Sequence, residues 1–211
     1  MKILVLGATG ATGLLIVRKA LAVGHSVVAL VRSKEKAQAA GLTDIDLVEG
    51  DARDETSLAR AIAGCDAVIS SLGTAMSPFR EVTMLSTATR ALVGVMAAQK
   101  VQRLVCITGL GAGDSRGHGG FFFDRVFLPL LLRKVYDDKN RQEDIVRASA
   151  LDWTIVRPTV LNDKSARGHI QALTDLSTVH GGSIARADVA EFVVQQLTTD
   201  TWLRKTPLIT W

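Results

Sequence analysis

Three glycines near the start of the chain have a spacing that suits phosphate binding. Gly7, Gly10 and Gly13 lie between the apolar run 3–6 and a second apolar run at 14–16. A buried strand, a tight turn and a helix give this pattern. Gly7 permits the turn, Gly10 lets a pyrophosphate approach the backbone, and Gly13 lets the helix pack on the strand. Because free N–H groups at a helix N-terminus attract anions, the segment predicts a dinucleotide-binding turn, with an unliganded turn as the alternative.

Basic residues follow the second strand, where the adenosine ribose of a dinucleotide would lie. Ser26–Val31 is predicted as a strand, and Arg32 and Ser33 come directly after it. An NAD-specific site carries an acidic residue about 20 residues past the glycines. A guanidinium and a hydroxyl instead suit a 2′-phosphate, which a carboxylate would repel. The sequence therefore predicts NADPH (NADP+) as cofactor, with a solvated basic turn as the alternative.

Two later strand ends carry further candidate ligands. Asp51 follows the third strand (45–49) and is expected to accept a hydrogen bond from the adenine amino group. Asp54 is expected to cap the helix 55–63. Thr108 ends the fifth strand (103–108), and ligands of open α/β sheets bind beyond such ends. We therefore expect Thr108 to face the nicotinamide or a substrate oxygen, and the glycine-rich loop after it to act as a mobile lid.

The stretch 121–132, FFFDRVFLPLLL, is the most apolar part of the chain. Asp124, Arg125 and Pro129 interrupt it, so it is neither a membrane span nor a regular amphipathic helix. A substrate flap, a partner-binding surface and core packing are the three interpretations. Core packing is favoured, because apolar clusters usually serve the core. An apolar wall beside the nicotinamide would also suit a planar hydrophobic substrate.

Strands and helices alternate along the chain. This order predicts an α/β fold, a three-layer doubly wound parallel sheet in a single domain (1–211), with substrate-side elements at about 109–135 and 159–185. Met84 and Met96 are interpreted as core filler, and Pro78 as part of a loop. The predicted strands are 3–6, 26–31, 45–49, 66–71, 103–108, 153–157 and 208–211, with an extended piece at 178–184; the predicted helices are 14–23, 55–63, 82–100, 135–148 and 186–197.

Composition narrows the class of protein. The 211 residues, 47% of them hydrophobic, suit one domain, and the net charge of +4 agrees with an anionic ligand. The chain has no block of basic residues for nucleic acid and no run of membrane-spanning length, and because a strand begins almost at once, we expect no signal peptide. Cys65 and Cys106 are expected to be buried reduced thiols, and the scattered histidines predict no metal site. We expect a cytoplasmic monomer or homodimer that acts on a small molecule, with neither nucleic acid nor membrane as partner.

Several motifs together resemble a known family. GATGATG, VRS, GDARD, SSLGT and SALDWTIVRPTVL follow or end successive strands. They resemble the atypical short-chain dehydrogenase/reductases with a Rossmann fold, in particular NAD(P)H-binding proteins similar to biliverdin reductase B (flavin reductase), with NmrA-like proteins further off. The resemblance covers nearly the whole chain. It implies phosphate contacts at Gly7, Thr9, Gly10, Ala11, Thr12 and Gly13, 2′-phosphate contacts at Arg32 and Ser33, adenine contacts at Asp51 and Ala52, ribose contacts at Leu72, Gly73 and Thr74, and nicotinamide contacts at Thr108, Pro158 and Thr159.

The proton-relay pair of ordinary short-chain dehydrogenases is absent. That pair is Tyr-x-x-x-Lys, in which the lysine lowers the pKa of the phenol. Tyr136 is followed four residues later by Asn140, and Lys139 stands one place too close. Lys139 alone is therefore the candidate for a positive charge near the nicotinamide ribose, with a solvated helix lysine as the alternative. Thr108 and Lys139 are the catalytic candidates.

Two functions remain open. The first is an NADPH-dependent oxidoreductase that transfers hydride to a planar conjugated acceptor such as a flavin, a bilin or a quinone. Gly109 and Val160 replace a serine and a histidine of the biliverdin reductase B-like proteins, but such a hydride transfer needs proximity more than a side-chain acid. The second is a non-catalytic NADP(H)-binding redox sensor of the NmrA-like type. A sugar-nucleotide epimerase is disfavoured by the short C-terminal half and the missing tyrosine–lysine pair.

Overall fold

The computed structural model describes residues 1–77 and 80–211, so the loop predicted at Pro78 lies outside the described residues. The strands are β1 (Lys2–Leu6), β2 (Ser26–Val31), β3 (Asp46–Glu49), β4 (Ala67–Ser70), β5 (Arg103–Ile107), β6 (Asp152–Pro158), β7 (Val160–Asn162), β8 (Gln171–Leu173), β9 (Ser183–Ala185) and β10 (Leu208–Thr210). The helices are α1 (Ala11–Ala22), α2 (Lys34–Ala39), α3 (Glu55–Ile62), α4 (Met84–Ala98), α5 (Arg133–Ala148) and α6 (Arg186–Gln195), with a 3₁₀ turn at Gly113–Ser115 and a π-helix at Phe123–Leu132.

Within these residues the central sheet has eight strands in the order β3-β2-β1-β4-β5-β6-β10-β8. Neighbouring strands are parallel except for β8, which runs antiparallel to β10 at the edge. After β1 the chain adds β2 and β3 on one side of it, and then β4, β5 and β6 on the other side. The point between β1 and β4 is thus the topological switch point at which such sheets bind ligands. The predicted doubly wound parallel sheet is confirmed.

Helices cover both faces of the sheet, because the strand residues alternate between two cores. Ile3 and Val5 of β1 belong to the core formed with α1 and α6, whereas Leu4 and Leu6 belong to the core formed with α3, α4 and α5. These four side chains are fully buried. The three predicted layers are therefore present.

Acidic side chains cap the N-termini of α3 and α4. Asp54 caps α3, as predicted, by accepting from the N–H groups of Thr56 and Ser57. The start of α4 is capped from another helix, since the buried carboxylate of Asp138 in α5 accepts from the Leu85 N–H at 2.8 Å and the Ser86 N–H at 3.3 Å. Asp138 thereby joins α4 to α5.

Both cysteines are free and buried, as predicted. Cys65 follows α3, and Cys106 lies inside β5 with its Sγ 3.4 Å from the Gln142 Nε2. Burial and the negative charge of Glu143 raise the pKa of the Cys106 thiol to about 12. Burial also raises the pKa of Cys65. Both thiols are therefore protonated at neutral pH.

Three expectations about packing and strand positions need correction. The stretch 121–132 is mostly exposed, and only Leu128 in it is buried, so the core-packing interpretation is wrong. Met96 is core, but Met84 is half-buried and lines a cavity. The extended piece predicted at 178–184 is limited to β9, and β7 and β8 were not predicted. Among the described residues, no helix has the length and apolarity to cross a membrane.

Candidate functional site

A cavity of about 580 Å³ opens at the carboxyl ends of β1 to β4. Its walls come from the glycine turn, the ends of β2 and β3 and the segment after β4. Of the predicted cofactor residues it gathers Gly7, Thr9, Gly10, Arg32, Asp51, Ala52, Leu72, Gly73 and Thr74; it adds Leu30, Val31, Gly50, Arg53, Ser71, Ala75 and Met84. The structure thus brings together residues that are up to 77 positions apart in the chain.

The three glycines of the turn have different structural roles. Gly7 has φ +77°, and a Cβ there would clash with the backbone oxygen of Ser71. A Cβ at Gly13 would clash with the backbone of Gly7. At Gly10 the backbone is ordinary and a Cβ would lie 3.3 Å from the Gly7 oxygen. Gly7 and Gly13 are therefore required by the fold, and Gly10 is the one whose missing side chain serves the cavity.

The remaining residues of the predicted phosphate site do not line the cavity. Ala11, Thr12 and Gly13 form the first turn of α1. The N-cap of that helix is Gly10, which offers no side-chain cap, so the first N–H groups of α1 remain available to an anion. This arrangement fits a pyrophosphate.

The part of the cavity at the ends of β2 and β3 carries two exposed arginines, Arg32 and Arg53, and one acid that is paired with Arg53. Arg32 is exposed at the rim, and Ser33 turns away from the cavity to cap α2, accepting from the Lys36 N–H and donating to Glu35. Asp51 binds Arg53 through Oδ1–Nε at 3.0 Å and Oδ2–Nη2 at 2.5 Å. Hydrogen bonds from Arg53 lower the pKa of Asp51 to about 2. Asp51 is therefore ionised and able to accept further hydrogen bonds.

A second cavity of about 260 Å³ opens at the ends of β5 and β6. It joins four of the predicted residues, Thr108, Lys139, Pro158 and Thr159, which come from the ends of β5 and β6 and from α5. The remaining lining is mainly apolar, with one phenol: Gly109, Leu110, Phe123, Tyr136, Val160 and Leu161. Phe123 belongs to the stretch 121–132, so one face of that stretch forms a wall of this cavity.

Lys139 is held at this cavity by the end of β5. Its Nζ donates to the Thr108 carbonyl oxygen at 2.7 Å. Burial lowers the pKa of the amine to about 8, although the nearby carboxylate of Glu143 opposes that shift. The Thr108 hydroxyl donates to Glu143 Oε1 at 2.7 Å. Thr108 therefore directs its hydroxyl into the protein interior, not towards a substrate oxygen.

Tyr136 and Lys139 do not form a proton-relay pair. The Tyr136 hydroxyl donates to the Leu110 carbonyl oxygen at 2.8 Å, and Lys139 Nζ lies 5.0 Å from the centroid of the tyrosine ring. Burial, together with the negative charge of Asp124, raises the pKa of the phenol to about 12. A proton relay needs a lowered pKa, because the phenol must release its proton.

A buried ion-pair network is joined to the second cavity through Thr108, which binds Glu143. The sequence analysis did not predict this network. Arg157 of β6 binds Glu143 of α5 through Nε–Oε1 at 3.0 Å and Nη2–Oε2 at 2.5 Å. Its Nη1 binds Asp114 Oδ1 at 2.5 Å. Arg157 is only 1% exposed. The available signal was a single arginine in the otherwise apolar strand WTIVR, because buried charges are nearly always paired.

The doubly wound sheet, with a glycine turn at its switch point, defines a dinucleotide-binding Rossmann protein. A family model described as NAD(P)H-binding matches residues 7–200, and the chain belongs to that family. The resemblance noted in the sequence is thereby confirmed.

Relatives and solved structures agree with this assignment. The chain is 30% identical over 204 residues to the uncharacterized sugar epimerase YhfK of Bacillus subtilis, covering 93% of this chain and 88% of that protein. ChuY of Escherichia coli O157:H7, described as an anaerobillin reductase, superposes with a TM-score of 0.84 at 24% identity, covering 100% of this chain and 97% of that one. A Veillonella parvula short-chain dehydrogenase/reductase in complex with NADP gives 0.78 at 14% identity, covering 100% and 94%. The family model therefore supports an NAD(P)H-binding protein, and the solved structures support its fold.

Proposed function

We propose that the protein is an NADPH-dependent reductase that transfers hydride to a planar conjugated acceptor, namely a flavin, a bilin or a quinone. The observation that carries the proposal is the pair of cavities along one edge of the sheet. The glycine turn and Arg32 line the first, and Lys139 and apolar side chains line the second. A dinucleotide spanning the edge would place adenosine in the first cavity and nicotinamide in the second.

The preference for the phosphorylated cofactor rests on Arg32. Its exposed guanidinium borders the adenosine cavity at the end of β2, where a carboxylate would select NADH. Ser33 contributes less than the sequence suggested, because its hydroxyl already makes two local hydrogen bonds. Arg32 is therefore assigned the 2′-phosphate contact.

The choice of acceptor rests on the lining of the second cavity. A reduced nicotinamide bound there would supply the hydride. Leu110, Phe123 and Leu161 offer apolar surface for a flat ring system, and Lys139 offers one positive charge. With Tyr136 engaged by Leu110, water or the Lys139 ammonium would provide the proton. The similarity to ChuY, an anaerobillin reductase, agrees with a conjugated acceptor of the bilin type.

The direct test is NADPH oxidation with riboflavin, FMN, biliverdin and quinones, each compared with NADH. We expect turnover with at least one acceptor, and loss of that turnover in Gly10→Val. Turnover at background level with every acceptor, on folded protein that binds NADPH, would reject the reductase.

The alternative is a non-catalytic NADP(H) sensor. The missing Tyr-x-x-x-Lys pair favours it, and burial raises the pKa of Tyr136 to about 12, away from the value a proton relay needs. The sensor requires NADPH binding without turnover and a protein partner whose capture changes with the NADPH/NADP+ ratio. Capture that is indifferent to this ratio would count against it.

A further inference from the structure

An exposed apolar surface, here called the stripe, runs along the stretch 121–132. Its side chains are between 38% and 73% exposed, although all are large and apolar: Phe121, Phe122, Val126, Phe127, Leu130 and Leu131. Water contact on this scale is unfavourable, and contiguous apolar patches of this kind mark interaction sites.

The stripe is continuous because the segment is π-helical over Phe123–Leu132. Hydrogen bonds from residue i to i+5 place residues four or five apart on one face. Phe122, Phe127 and Leu131 therefore align, as do Phe121, Val126 and Leu130. Phe123 and Leu128 take the opposite face, where Leu128 is buried and Phe123 lines the second cavity. The segment thus presents one apolar face to the protein and another to solvent.

Cations accompany the stripe. Arg125 lies within the segment, and Arg133 and Lys134 follow it. Among residues 1–77 and 80–211, none of the three forms an ion pair. The acid of the segment, Asp124, accepts a hydrogen bond from the Gly119 N–H at 2.9 Å and is not aligned with the stripe. The stretch 121–134 therefore combines exposed aromatic and aliphatic side chains with a net positive charge.

We propose that the stripe docks this protein onto an anionic lipid surface. An interfacial segment buries Phe and Leu side chains at the headgroup boundary, while Lys and Arg attract anionic lipids. The net charge of +4 over the chain acts in the same direction. A second copy of the chain fits less well, because a two-fold contact through the stripe would bring the basic residues of one copy, Arg125, Arg133 and Lys134, near those of the other.

The proposal departs from the expectation of no membrane partner. That expectation rested on the lack of a run of membrane-spanning length, and an interfacial segment needs no such run. Docking of this kind does not require the dinucleotide, so its test is independent of the test of the proposed reductase activity.

The experiment is flotation of the whole protein with vesicles of phosphatidylcholine, alone or mixed with phosphatidylglycerol. We expect binding to the anionic vesicles only, and weaker binding at high salt. The double variant Phe122→Asp/Phe127→Asp should lose at least tenfold in the bound fraction. Val23→Asp is the matched control, because Val23 and Phe127 are equally exposed at 49% and Val23 lies at the end of α1. The control should bind as the unaltered protein does.

Three results would overturn the proposal. The first is no flotation with either vesicle, and the second is equal flotation of the double variant. The third is a dimer in light scattering that the double variant dissociates, which would make the stripe a contact between copies. Circular dichroism establishes that the variants are folded. Should the double variant unfold, Arg125→Glu/Arg133→Glu leaves the apolar residues intact and must still reduce flotation tenfold.

Discussion

Arg32 is the residue on which the proposed preference for NADPH depends, since it is exposed at the rim of the first cavity. In Arg32→Asp we expect the Kd for NADPH to rise about 10- to 100-fold, because a charge-assisted hydrogen bond contributes about 1.5–3 kcal/mol. The Kd for NADH should change far less. Calorimetry with both nucleotides measures the difference.

Lys34→Asp is the control for Arg32, because Lys34 is an exposed cation two residues away that does not line the cavity. It should leave the ratio of the two affinities almost unchanged. If Arg32→Asp weakens both nucleotides equally, the 2′-phosphate assignment is wrong.

Gly10 offers the cleanest test of the phosphate turn. Its backbone has φ −76°, which any residue adopts, and an added Cβ would lie 3.3 Å from the Gly7 oxygen, so Gly10→Val should fold after a shift of a few tenths of an ångström while its side chain occupies the space expected for the pyrophosphate. We expect no measurable NADPH binding in calorimetry and a native circular dichroism spectrum. Gly94→Val, in the interior of α4 with no atom within 4 Å of the added Cβ, should bind normally. Retained binding in Gly10→Val would contradict the turn.

Lys139 should make stability depend on pH. Its amine has a pKa of about 8 in the folded protein and an ordinary value of 10.5 when unfolded. Between those values the unfolded chain binds a proton that the folded chain lacks, so the free energy of unfolding rises with pH. Lys139→Met removes this contribution. Urea unfolding from pH 7.5 to 9.5 should show the wild type gaining stability relative to the variant, and parallel curves would refute the lowered pKa.

At the scale of elements, Asp138 joins α4 to α5. Asp138→Ala leaves the N–H groups of Leu85 and Ser86 buried without an acceptor, which should cost about 1–3 kcal/mol of unfolding free energy. Asp144→Ala, at an exposed position of the same helix, should cost much less. Urea denaturation of both variants gives the comparison, and equal losses would show that the cap contributes little.

Elements with a strong local pattern were predictable. The parallel strands β1, β2, β4, β5 and β6 are largely apolar runs, and α3 and α4 carry apolar residues at helical spacing, so their bounds were close to those observed. β7 and β8 contain three residues each and pair with distant partners, β9 and β10, so no local pattern marks them. The stripe was misjudged because apolar composition does not show which side of a segment faces water.

In the candidate site, too, local patterns were predictable and contacts between distant elements were not. Glycine spacing and the residues after each strand were enough to predict much of the lining of the first cavity. Contacts between distant elements were not readable. Glu143 meets Arg157 and Thr108, and Tyr136 meets Leu110, only because α5 packs beside the ends of β5 and β6. The direction of the Thr108 hydroxyl followed from that packing, which the sequence does not encode locally.

For the whole molecule, cofactor binding should appear as thermal stabilisation. A ligand at 100 times its Kd that binds only the folded state adds about 2.7 kcal/mol, or about 5–10 °C in Tm for a chain of this size. NADPH should produce this shift in the wild type, and NADH at the same concentration a smaller one. A flat response to both nucleotides would argue against the dinucleotide site as a whole.

The two buried, protonated cysteines have a practical consequence for following motion in solution. Maleimide and disulfide reagents react with the thiolate, which neither Cys65 nor Cys106 supplies at neutral pH in the folded state. The native chain should therefore give almost no labelling background. A single added thiol, for example Val126→Cys, could carry a fluorophore whose emission wavelength reports whether that position has entered an apolar environment.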